Sequence, residues 1–148
     1  MFELVDGPLD IQRYRDAVAH PSCGALLVFE GTVRDNFDGR PVGGLEYEAY
    51  PELAVPVMAQ VAAEIQGRIA GCRVAIAHRT GRLALGECSM VIAVATPHRG
   101  ECYEASRFVI EALKQRLPVW KKELFVDGDA QWKPNDPSAP RGPGDPAA

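Results

Sequence analysis

Two His-Arg dipeptides, His78-Arg79 and His98-Arg99, together with Arg34, Lys114 and the Lys121-Lys122 pair, are the residues of this chain best suited to holding an anion. The second dipeptide is the more telling one, because Thr96-Pro97-His98-Arg99-Gly100 leads from an apolar, strand-like run into a helical pattern. A helix N-terminus offers unpaired N–H groups and a partial positive charge, and an imidazole and a guanidinium beside it suit a phosphate. Ordinary polar loop residues have the same spacing, so the pattern alone leaves both readings open. Arg34 ends a β-forming run that contains Phe29 and Gly31. Its planar guanidinium can clamp a carboxylate or phosphate at two points.

Lys114 and Lys121-Lys122 flank Pro118. On a helical wheel Lys114 falls with Arg107, opposite Phe108, Ala112 and Leu113, so periodicity assigns it to a solvated face. Strand alternation groups Lys121 with Val119, Glu123 and Phe125, and Lys122 with Trp120 and Leu124. Only one lysine of the pair can therefore enter a given pocket. Cys102 lies four residues after His98, and a thiol beside an imidazole would be an activated nucleophile. Against that, Gly100 is expected to break the helical register, and a lone helical cysteine is ordinarily a packing residue.

Composition narrows the classes. A net charge of -4 argues against general nucleic-acid binding, so any anion site must be a local gathering of basic residues. Cys23, Cys72, Cys88 and Cys102 form no C-x-x-C pair and no zinc-like cluster, so free thiols and no structural metal are expected. No apolar run reaches about 20 residues, and no basic leader precedes a hydrophobic stretch at the N-terminus. A cytoplasmic location away from membranes is the simplest expectation.

The elements that must position these residues follow from periodicity. An amphipathic helix is expected up to about His20, a buried strand over 25–33, a polar turn over 35–39 and a strand over 45–50. Leu53, Val57, Val61, Ile65 and Ile69 predict a helix over 52–69 with that stripe facing the core, and Pro56 fits if it lies in the first turn. Strands over 72–79 and 87–96 follow, punctuated by Gly81 and Gly86, the second apolar on both faces and so central. A helix over 101–117, a strand over 119–126 and a turn at Gly128-Asp129 complete the pattern. The class is α+β, with a mainly antiparallel or mixed sheet and packed helices. Residues 1–133 read as a single catalytic domain and 134–148 as a proline-rich, flexible tail.

Five fragments then gain weight together: F-x-G-x-V-R (Phe29 to Arg34), L-x-Y-E-A-Y (Leu45 to Tyr50), H-R-x-G-x-L-x-x-G-E (His78 to Glu87), H-R (His98-Arg99) and L-K-x-R-x-P-x-W-K-K-E (Leu113 to Glu123). Each is weak alone, but the ordered set resembles the large, catalytic subunit family of the molybdopterin synthases. The resemblance implies an α/β hammerhead-type fold and a homodimer with a small ubiquitin-like sulfur carrier at each end, a heterotetramer. The carrier threads a C-terminal Gly-Gly thiocarboxylate into the pocket. The implied reaction is a sulfurtransferase step without a cofactor, converting cyclic pyranopterin monophosphate to the molybdopterin dithiolene in molybdenum cofactor biosynthesis.

By the same resemblance, Arg34, His98 and Arg99 match substrate-pocket positions, and Phe29 matches the pocket wall. Lys114 and Lys121 match essential lysines, with roles in positioning the thiocarboxylate and in proton transfer. The family often has a further arginine, contributed across the dimer, beyond the tryptophan matching Trp132. Here the segment reads Lys133-Pro134-Asn135-Asp136, and Lys133 and Arg141 are candidates for its place. A competing expectation is a non-catalytic module that binds a phosphorylated metabolite through Arg34, His98 and Arg99.

Overall fold

The most apolar strand of the chain, Cys88–Thr96, is sandwiched between helices in the computed structural model, which describes residues 1–134. Its alternation explains the layering. Met90, Ile92 and Val94 join the larger core beneath two long helices, whereas Val91, Ala93 and Ala95 pack with Tyr14 and Val18 of a short helix on the other face. Full burial of a side chain such as Ile92 contributes about 1.5–3 kcal/mol, so a strand apolar on both faces fixes both layers.

In chain order the described elements are β1 (Phe2–Asp6), α1 (Ile11–Val18), β2 (Ala25–Thr32), β3 (Asn36–Phe37), β4 (Arg40–Ala49), α2 (Pro51–Arg68), β5 (Arg73–Ala84), β6 (Cys88–Thr96), α3 (Arg99–Arg116), β7 (Val119–Phe125) and β8 (Ala130–Pro134). The sheet runs β2-β6-β5-β4-β7-β8, with β1 parallel to β5 and every other pairing antiparallel. The α+β class with a mainly antiparallel sheet is what the periodicity implied. No helix among the described residues is long and apolar enough to cross a membrane.

Several boundaries differ from the expectation, each for a physical reason. Gly81 does not begin a turn: at φ 83 it bends β5, which pairs with β1 and β6 before it and with β4 from Gly81 to Ala84. The hairpin turn follows at Leu85-Gly86. There the Glu87 carboxylate accepts from the Ala84 N–H at 2.9 Å and from Arg79 Nη1 at 3.2 Å.

The buried face of α2 is Ala54, Met58, Val61, Ala62 and Ile65, while Leu53 is 52% exposed. A strict four-residue repeat drifts around a helix of 3.6 residues per turn, so Leu53 leaves the contact face while Val61, Ile65 and Ile69 stay in the core. Pro56 lies in the second turn, because α2 begins at Pro51. Its missing N–H leaves the carbonyl of the exposed Glu52 to solvent. Three strands were not expected at all, β1, β3 and β8. The last carries pairing to Pro134, opposite Trp120, one residue past the expected domain end. The rest of the expected tail lies outside the described residues.

Two local devices shape one end of the sheet. Asp38 (φ 48) and Gly39 (φ 78) form a two-residue hairpin turn that holds Phe37 opposite Arg40. The β4–β7 register jumps between Val42 and Gly44, a bulge that resets alternation so that Val42 points to the same side as Leu45 and Tyr47. A Cβ on Gly44 would meet the Leu83 carbonyl oxygen at 2.8 Å, so this close approach of β4 to β5 requires glycine. Arg116 grips Glu64 at 3.0 and 2.7 Å, tying the last turn of α3 to α2.

Candidate active site

Those devices surround a cavity of about 160 Å³ whose wall includes Arg34, Phe37, Tyr47, Lys114, Lys121 and Glu123. Arg34 enters from the end of β2, Phe37 from the β3–β4 hairpin, Lys114 from the last turn of α3, and Lys121 with Glu123 from β7. Register explains the convergence, since Lys121 pairs with Tyr47 and Glu123 with Leu45, so all four leave the sheet on one face. Neither Arg34 nor Lys114 has an ion-pair partner among the described residues, which leaves two cations free beside the cavity.

Glu123 is 1% exposed and lies between two lysines. Lys121 Nζ is 3.6 Å from its Oε1 and Lys133 Nζ is 2.9 Å from its Oε2. Oε2 is thus ion-paired, but it accepts no hydrogen bond among the described residues. Desolvation by surrounding protein, reinforced by the Lys121 charge, pushes the Lys114 ammonium below the ordinary lysine range even though this residue keeps an open path to solvent. Burial raises the Tyr47 hydroxyl, partly offset by the Ser89 hydroxyl and assisted by the Glu123 charge.

His78 supports the cavity from below. It is 3% exposed, meets the Tyr47 ring edge-on at 4.8 Å between centroids, and places Nδ1 2.8 Å from the Arg79 carbonyl oxygen. That oxygen only accepts, so Nδ1 carries the hydrogen. Burial above all pulls its pKa down to about 4, partly offset by the Arg79 carbonyl and reinforced by the Lys114 charge. A base whose folded pKa is depressed contributes stability above its unfolded value, near 6.5, that is lost as the pH falls toward 4. The contribution across that window is about 3 kcal/mol. His78→Gln is therefore expected to flatten the fall in melting temperature between pH 7 and pH 4.5. An equal fall in both proteins would exclude His78 as its origin.

Of the positions singled out in the sequence, Arg34, Lys114 and Lys121 meet at this cavity. Lys114 stands on the solvated side that the helical wheel gave it, and in the last turn of α3 that side is also cavity wall, beside the end of β2. Lys122 takes the opposite sheet face, its Nζ 5.5 Å from the Trp132 ring, as alternation requires. Phe29, His98 and Arg99 are not in this cavity of the same chain. Phe29 lines a second groove with Tyr103, Ser106, Arg107, Ile110 and Glu111. His98 and Arg99 are exposed at the N-terminus of α3, and fifteen helical steps separate Arg99 from Lys114, about 22 Å along the axis.

The cysteine reading is overturned by placement. Gly100 does not break the helix, and the Cys102 N–H bonds the His98 carbonyl at 3.3 Å. The thiol itself is 1% exposed, 3.5 Å from the Val94 carbonyl oxygen, with its pKa raised by burial. Glu123, Phe37 and Tyr47 were not singled out as site residues, and Lys133 was named only as a candidate for the family's cross-dimer arginine, not as a partner of Glu123. Alternation with Lys121 was the available signal for Glu123, whereas Phe37 and Lys133 depend on a two-residue turn and a short last strand.

Known proteins resemble this chain in sequence and in fold. The profile of the family described as MoaE protein matches residues 4–116. A molybdopterin synthase catalytic subunit from Halalkalibacterium halodurans is 48% identical over 128 residues, covering 86% of this chain and 82% of that protein. Molybdopterin synthase catalytic subunit 1 from Aedes aegypti is 46% identical over 136 residues, covering 90% and 88%. The crystal structure of molybdopterin synthase from Staphylococcus aureus superposes with a TM-score of 0.85 at 37% identity, covering 89% of this chain and 96% of that one.

Proposed function

The chain belongs to the MoaE protein family, and from that premise we propose that it is the sulfur-transferring catalytic subunit of a molybdopterin synthase, acting in the cytoplasm. Its substrates are cyclic pyranopterin monophosphate and the C-terminal thiocarboxylate of a small ubiquitin-like carrier. The observation that carries this reading is the cavity where Arg34, Lys114 and Lys121 converge. Both reactants are anions, so a site that holds them together needs fixed cations to offset their repulsion. Lys114 has the further property that its neutral amine is accessible at lower pH than usual, which suits proton transfer as sulfur adds and the cyclic phosphate opens. Two sulfurs enter the product and each carrier brings one, so the carrier must bind reversibly.

One chain leaves the site incomplete, because His98 and Arg99 lie at the far end of α3. A second copy supplies them. β2 and α3 both run from the His98-Arg99 end to the Arg34-Lys114 end, since each is antiparallel to β6. Their spans match: about 23 Å from Ala25 to Thr32 along β2 and about 22 Å from Arg99 to Lys114 along α3. β2 has no strand on its outer side among the described residues. A copy packed there about a two-fold axis would set its Arg99 beside this chain's Lys114, twice over. The groove along that edge holds Phe29 and the 66% exposed Tyr103, with Arg107 and Glu111 as opposite charges for a self-complementary contact. Phe29 then serves the site as part of this interface.

Reconstitution tests the function. The purified protein, mixed with a thiocarboxylated carrier and cyclic pyranopterin monophosphate, is expected to yield the dithiolene product. Binding of the pterin phosphate without turnover would instead describe a phosphometabolite-binding module.

A further inference from the structure

Lys133 has no part in the reaction as described, yet β7–β8 register sets it directly across from Lys121. Like charges in that relation destabilise a strand pair. Here a carboxylate and an aromatic ring mediate between them, and both favour Lys133. Glu123 is 2.9 Å from Lys133 Nζ but 3.6 Å from Lys121 Nζ. The Phe37 ring centroid is 3.5 Å from Lys133 Nζ but 5.2 Å from Lys121 Nζ. Lys121 lines the cavity, and Lys133 touches two other residues of its wall, Glu123 and Phe37.

The Lys133 contact is also the one charge compensation of Glu123 Oε2, which accepts no hydrogen bond among the described residues. A buried carboxylate oxygen deprived of its cation is strongly driven to find another. The nearest is Lys121. From this asymmetry we propose that Lys133 is a positioning residue, which occupies Glu123 and so keeps the Lys121 ammonium available to the anion entering the cavity. The proposal rests on reading the cavity as the sulfur-transfer site.

Lys133→Met removes the charge and keeps an unbranched stem against Phe37. It is expected to lower kcat about tenfold, with KM for the cyclic pterin phosphate changed less than about threefold. Lys133→Arg is expected to restore most of the rate. The double variant Glu123→Gln/Lys133→Met should also recover, because no carboxylate is left to capture Lys121, whereas a purely structural role for Lys133 would make it worse. An independent readout needs neither carrier nor pterin: brief acetylation with limiting acetic anhydride, read by peptide mass. Lys121 should label several-fold more slowly in Lys133→Met than in the wild type, with Lys114 unchanged. That labelling result without any sulfur transfer by the wild type would uphold the positioning role and defeat the functional reading. Equal labelling of Lys121 in the two proteins overturns the positioning role whatever the reaction.

Discussion

Lys114→Ala is expected to lower sulfur transfer by about 10²–10⁴-fold, the range for a positioned proton-transfer group, while carrier binding and melting temperature stay near those of the wild type. The side chain is on the solvent side of α3, outside the helix–sheet core, and has no ion-pair partner among the described residues. Its removal therefore takes little from the fold. What it takes from the cavity is an amine whose ammonium form is disfavoured first by desolvation and then by the Lys121 charge. The neutral amine becomes available as the pH rises through that lowered value, so the wild-type rate should rise with pH below the ordinary lysine range. The variant should lack that limb. Lys114→Arg separates the two roles, since a guanidinium keeps the charge but does not give up its proton at these pH values. It should retain substrate affinity and remain slow. A Lys114→Ala enzyme within about threefold of the wild-type rate would remove Lys114 from the chemistry.

The second large effect is complementation between two inactive proteins. Arg99→Ala and Lys114→Ala are each expected to be nearly inactive as homodimers, because every site lacks one of its cations. After subunit exchange, a mixed dimer has one site with both residues intact and one with neither. Random exchange makes half of the dimers mixed, so activity should return to about a quarter of the wild-type value. If Arg99 acted on the Lys114 of its own chain, mixing would restore nothing. The 22 Å or so along α3 between the two residues makes that outcome unexpected for a helix that runs unbroken from Arg99 to Arg116.

Local rules made much of this site legible. Alternation in β7 separated Lys121 from Lys122, and the structure keeps them on opposite faces. The apolar run of β6 identified the central strand, and the transition after Thr96 identified the start of α3 within two residues. The helical wheel put Lys114 on the solvent side of α3, where it stands, but could not show that the last turn of α3 meets the end of β2 and so borders the cavity. Leu53 was misplaced because a strict four-residue repeat drifts off the contact face, and Pro56 lies beyond the first turn because α2 begins at Pro51.

Long-range facts were invisible in another way. That β5 would bend at Gly81 and serve two partners, and that Trp132 and Lys133 would form a strand, depend on pairing and not on propensity. The 148-residue sequence put His98-Arg99 at the start and Lys114 near the end of one expected helix, but held no sign of how the two ends could serve one site. Spacing alone does not say whether a helix is folded back on its own site or shared with a neighbour.

The most direct measurement is a structure of the dimer with cyclic pyranopterin monophosphate bound and the carrier omitted, so that no turnover occurs. Phosphate oxygens are expected within hydrogen-bond distance of Lys114, Lys121 or Arg34 from one chain and of Arg99 from its partner. A phosphate held only at the exposed start of α3, with the cation-lined cavity left vacant, would contradict the claim that folding and pairing bring these charges to one meeting place.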